Sequence, residues 1–129
     1  MLEEKLIKIA KSKLGVSMTK RYTNRLQISG VIVQEMKFIK NSKTGRESCS
    51  VIIHQPTEIA TGQVVDKSFN FITFIPEEIE KLRQVKTCCF VRAMANLEWN
   101  RKMKQYVIQV HELEIDFPMN EPLEPPYNN

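Results

Sequence analysis

The stretch from residue 24 to about residue 39 constrains the fold most. Leu26, Ile28, Ile32, Met36 and Phe38 fall on one parity of an extended segment, with Gly30 at its centre. Alternation of this kind belongs to a strand with one buried face. A glycine in the middle of so long a strand marks a bulge or sharp bend, which lets one strand serve both sides of a small barrel. The residues that follow supply the rest of such a barrel. Residues 41–45, NSKTG, form a turn by composition with Lys43 at its tip, and Cys49, Val51 and Ile53 then alternate along a second strand. A polar connection from His54 to Asp66, holding Pro56 and Gly62, leads to a third strand over residues 67–74.

Pro76, Glu77 and Glu78 open a short helix, because proline suits the first turn and acids suit the positive end of the helix dipole. Ile75, Ile79, Leu82 and Val85 give it an apolar stripe. A fourth strand covers about residues 87–99, a basic turn follows at Asn100-Arg101-Lys102, and a fifth strand covers about residues 105–117. In that last strand Ile108 and Val110 are out of phase with Leu113, Ile115 and Phe117, which predicts a bulge near His111-Glu112. The order β-β-β-α-β-β is that of an all-β, five-stranded OB-fold barrel with a helix between strands 3 and 4.

Ahead of it stands a helical segment, Leu2 to Leu14, with apolar residues at three- and four-residue steps. The chain therefore divides into an N-terminal amphipathic helical extension (1–23), the OB-fold domain (24–117) and a flexible Pro-rich tail (118–129). Packing on its own domain, docking on a partner or lying on a membrane are the fates open to such a helix. No Trp or Phe anchors its apolar face, which speaks against a membrane.

The charge gains meaning when divided the same way. The chain of 129 residues carries +4, but its last twelve residues hold two glutamates and no Lys or Arg, so the body has 19 basic against 13 acidic residues, or +6. A basic body suits a polyanion, nucleic acid first. No apolar run is long enough for a membrane span, and the N-terminus lacks the unbroken apolar segment of a signal peptide. Three cysteines, two of them adjacent, suit neither a disulfide framework nor a zinc site, so the reading is cytoplasmic. There is no HExxH, CxxC, GxxxxGK[ST], GxGxxG or GxSxG, and the two histidines stand apart. These absences point to a binding protein without metal or cofactor rather than an enzyme.

Aromatic side chains interleave with basic ones. Phe38 lies between Lys37 and Lys40, Phe69 and Phe71 follow Lys67, Trp99 precedes Arg101 and Lys102, and Tyr106 follows Lys104. Single-stranded nucleic acid calls for this mixture, cations along the phosphates and ring faces under the bases. Phe69 and Phe71 serve equally well as barrel filling. Trp99 shares a parity with Cys89, Val91, Ala93, Ala95 and Leu97, which literally points it inward and Arg92 outward; a bulge or coil near Ala95-Asn96 would turn it to the surface.

Residues 71–117, from the aromatic strand through the helix to Trp99, the NRKMK hairpin and Tyr106-Val107-Ile108, resemble the second half of the bacterial and phage single-stranded DNA-binding protein (SSB) family. The opening Asn24-Arg25-Leu26-Gln27-Ile28-Ser29-Gly30 resembles that family's first strand. The resemblance implies that Trp99 and an aromatic of strand three, Phe71 or Phe74, stack on bases. It likewise implies that Lys43, Arg46, Arg101, Lys102 and Lys104 on the two hairpins line the path. Arg25, Lys37, Phe38, Lys40, Lys67, Phe69, Arg92 and Tyr106 complete the candidate set. The closing residues LEPPYNN do not resemble the family's long tail with an acidic tip, and the N-terminal helix is extra, so Leu2, Leu6 and Ile9 are the expected candidates for a protein contact. The expectation is a homo-oligomeric, single-stranded DNA-binding protein of replication, recombination or repair, of phage, plasmid or mobile-element type or a primosomal accessory. The alternative is an OB-fold subunit that holds a primase, polymerase or helicase, with DNA contact secondary; an RNA-binding OB domain is a further one.

Overall fold

A computed structural model describes residues 2–14, 23–116 and 120–125. The elements run α1 (Leu2–Leu14), β1 (Leu26–Ile32), β2 (Lys37–Lys40), β3 (Glu47–Glu58), β4 (Val64–Thr73), α2 (Pro76–Arg83), β5 (Cys89–Asn100) and β6 (Gln105–Asp116). Strands β1, β5, β6, β4 and β3 follow one another around a barrel, and β1 closes it by pairing with β3 at Val31 and His54. All neighbours are antiparallel except β4 and β6, which run parallel at Phe71 and Ile108. This is the five-stranded OB-fold barrel, with β1 and β2 as the two halves of the expected first strand and α2 in the expected place.

Gly30 explains how the barrel closes. A Cβ on it would sit 2.4 Å from the His54 carbonyl oxygen and 2.6 Å from Ile53 Cγ2, so only glycine lets β1 cross β3 this closely. The first strand breaks after Ile32, where Gln34 and Met36 turn into the interior. Phe38, on the parity of Met36, leaves the core at the barrel's edge, and the Arg83 guanidinium lies 4.8 Å from its ring centre.

Ile32, Ile53, Phe71, Val91, Val110 and Leu113 fill the interior, each worth about 1.5–3 kcal/mol on burial. Helix α2 caps one end through Ile79 and Leu82. Its buried Glu78 ties it to β6: the carboxylate accepts the Leu113 N–H at 2.8 Å and the Lys81 ammonium at 3.1 Å. The phase change in the last strand is a bulge. Met94 pairs with Glu112 and Ala95 with Val110, leaving His111 as the extra residue.

Two expectations are corrected. Much of the polar connection from 54 to 66 is strand, since Gln55 to Glu58 pair with Lys67 back to Val64 and form an arm. The His54 ring braces the base of this arm, bridging Asp66 Oδ2 and Gln34 Oε1 at 2.7 Å each. The Pro-rich tail is not a free end over residues 120–125. The Cys88 N–H donates to the Glu121 carbonyl at 2.9 Å, and Glu35 and Glu124 N–H groups donate to Glu124 and Val33 carbonyls at 2.8 Å. Leu123 packs on the core, so this segment straps the β1–β2 link to the chain entering β5.

Candidate nucleic-acid interface

Two hairpins rise from the same side of the barrel. In the β2–β3 turn, the Asn41 Oδ1 accepts the Lys43 and Thr44 N–H groups at 2.8 and 3.1 Å, and Gly45 takes a positive φ of 72°. That turn leaves Lys43 exposed at the tip and sets the Arg46 guanidinium 4.2 Å from the centre of the Phe74 ring. In the β5–β6 turn, the Asn100 Oδ1 accepts the Met103 N–H at 2.9 Å and Lys104 takes φ 51°. The Asn24 side chain holds the base of this hairpin, donating to the Leu97 carbonyl at 2.8 Å and accepting its N–H at 3.0 Å.

Between the hairpins lies an open groove of ≈ 480 Å³. Trp99 and Phe74 supply its rings, Arg46, Arg101 and Lys102 its cations, and Ile39, Asn41, Thr44, Ser48 and Asn100 the rest. No carboxylate is among the lining residues. Trp99 is 53 % exposed, and Tyr106, 67 % exposed, meets it edge to face with centroids 5.1 Å apart. Such a groove offers flat apolar faces with positive charge around them, the arrangement that accepts stacked bases and their phosphates.

Trp99 reaches the surface on the apolar parity of β5. The inward parity holds through Ala95 (1 % exposed) and continues to Leu97 and Trp99, which lie past the buried stretch of β5 and are 40 % and 53 % exposed. The irregularity beside Ala95 belongs to β6.

Other candidates lie elsewhere. Phe71 is 1 % exposed in the core and has no face to offer a base; Phe69 is half-buried against it, with centroids 6.2 Å apart. Phe38 sits under Arg83, which also pairs with Glu47 and Glu80. The hydrogen bond from Arg83 holds the Glu47 carboxyl below its ordinary range. Arg92 pairs with Glu114 at 3.3 Å, and Lys67 lies on the arm opposite Gln55. Arg25, Lys37, Lys40, Lys43 and Lys104 are exposed outside the groove lining. Leu2, Leu6 and Ile9 are exposed on α1. Sequence reasoning missed Ile39, whose signal was an apolar side chain on the polar parity of its strand beside a basic turn. It also gave Asn24 no job in holding β5. Asn41, Thr44 and Asn100 carried no signal beyond turn composition.

Among the described residues no three His, Cys, Asp or Glu side chains converge as metal ligands. The thiols nearest the core are poor nucleophiles, because burial pushes Cys49 up to about 12 and Cys89 up to about 11. No helix among the described residues is long and apolar enough to cross a membrane.

The barrel and its two-hairpin groove define an OB-fold of the kind found in single-stranded DNA-binding proteins, and solved structures agree on the fold. Mitochondrial single-stranded DNA-binding protein Rim1 from S. cerevisiae superposes with a TM-score of 0.57 at 16 % identity, over 73 % of this chain and 94 % of that one. PriB from Ralstonia solanacearum gives 0.56 at 16 % identity, over 74 % and 100 %. The single-stranded DNA-binding protein of Thermus aquaticus gives 0.57 at 8 % identity, over 74 % of this chain and 50 % of that one. No family model and no curated protein matches the sequence.

Proposed function

We propose that this chain binds single-stranded DNA in the groove between the β2–β3 and β5–β6 hairpins, with little sequence preference. One observation carries the reading: Trp99 and Phe74 present rings in a groove whose charged lining residues, Arg46, Arg101 and Lys102, are all cations. Bases stack on the rings, and the cations displace counterions from the phosphates. Lys43 and Lys104 extend the path at the tips of the turns, and Tyr106 backs Trp99. Little sequence preference follows from stacking, because every base has a ring face to offer, and the Asn41 and Asn100 side-chain oxygens are engaged in their own turns. The role that follows is protection or presentation of single strands in replication, recombination or repair, without catalysis. The fold shared with Rim1, PriB and Thermus SSB supports the reading.

Competition tests it. A labelled oligo-dT bound to the full chain should be displaced by unlabelled single-stranded DNA of mixed sequence and spared by duplex of the same length. Equal displacement by duplex overturns the reading, and stronger displacement by single-stranded RNA redirects it to RNA.

A further inference from the structure

Helix α1 carries a pattern that the groove does not use. Glu3, Leu6, Ala10 and Lys13 follow at steps of three and four residues and so share one face, with Leu2 and Ile9 beside them. Leu2 is 71 % exposed, and Leu6 and Ile9 are 58 % exposed each, so a single chain leaves this apolar face open. A helix of 13 residues is marginal alone in water and gains most of its stability from covering such a face.

The charges say what covers it. Reading along the face gives an acid, an apolar middle with a small residue, and a base. Two copies laid antiparallel set Leu6 on the partner's Ala10, Ala10 on the partner's Leu6, and Glu3 at each end against the partner's Lys13. Laid parallel, the same faces oppose Glu3 to Glu3 and Lys13 to Lys13, which like charges disfavour. We propose that α1 is a self-association element that pairs antiparallel with α1 of a second copy, the two-fold axis passing between Leu6 and Ala10. Ala10 lets the backbones approach where Leu6 needs room. The pairing uses no residue that lines the groove.

Charge reversal tests it on the full chain, read by sedimentation across a wide concentration range at low salt. The wild type dimerises, and removal of residues 1–14 abolishes this. Glu3→Lys alone and Lys13→Glu alone each set like charges at both ends and weaken dimerisation about tenfold. Mixing the two variants restores it. One variant then carries a base at both ends of its helix and the other an acid at both, so opposite charges meet at each end of the mixed pair. A monomeric wild type, a dimer that survives removal of residues 1–14, or a mixture no tighter than its parents overturns the proposal. So does an α1-dependent association with anionic vesicles that leaves the chain monomeric.

Discussion

Replacement of Trp99 by Ala separates a binding role from a packing role, because the two predict different numbers. Trp99 lies beyond Ala95, the last buried residue of β5, and more than half of its surface meets solvent. Its contact with another ring is the edge-to-face pair with Tyr106, worth about 0.5–1.5 kcal/mol. On a barrel of this size the loss of that pair is a fall in Tm of about 2–12 °C, since about 1 kcal/mol corresponds to about 4–8 °C. A tryptophan filling the core would cost about 3–5 kcal/mol, and Tm would fall by well over 10 °C. For DNA the order reverses. One lost base stack costs about 1–3 kcal/mol, a weakening of about 5- to 150-fold for oligo-dT. The assay pairs a thermal melt with anisotropy of labelled oligo-dT at one salt concentration. A variant that melts far below wild type while its folded fraction binds at full strength refutes the surface role of Trp99.

Changing Arg46, Arg101 and Lys102 together to Gln should flatten the plot of log K against log salt by about 2, at about 0.7 per phosphate contact on single strands, with Tm little changed. An unchanged slope places the phosphates elsewhere. Gly30→Ala puts a Cβ 2.4 Å from the His54 carbonyl, so the crossing of β1 over β3 must open; Tm should drop by about 10 °C or the melt lose cooperativity, and a wild-type melt contradicts the closure described. Burial pushes Cys49 and Cys89 to about 12 and about 11, which suppresses their thiolate forms at pH 8, and all three thiols are buried. A thiol reagent should therefore react only as the barrel unfolds, and rapid labelling of the native chain shows that the packing is wrong.

The barrel was legible because its buried strands keep period two. Cys49, Val51 and Ile53 alternate, as do Cys89 through Ala95, and the phase slip after Val110 located the His111 bulge. What was not legible shares one physical cause: parity tells which face a residue occupies, not whether anything covers it. Trp99 keeps the inward parity but stands past the end of the barrel, whereas Phe71 occupies its centre. Phe38 continues the parity of Met36 and still emerges at the edge. The arm at 55–58 and 64–67 is exposed in large part on both faces, so it has no alternation to read, and Pro56 made it look like a loop. The strap at 120–125 is held chiefly by backbone hydrogen bonds, which any sequence can make. The groove itself was half legible: its cations and Trp99 stood out beside the turns, but Ile39 and the pairing of Arg46 with Phe74 depend on strands distant in sequence.

Trp99 is the chain's only tryptophan, so its fluorescence reports on the groove alone. Titration with oligo-dT at low and high salt should quench it to saturation at low salt, with the midpoint moving steeply to higher DNA concentration as salt rises. DNA binding, seen by anisotropy in the same sample, with Trp99 emission unchanged would contradict the account, because the strand would then be held somewhere other than this groove.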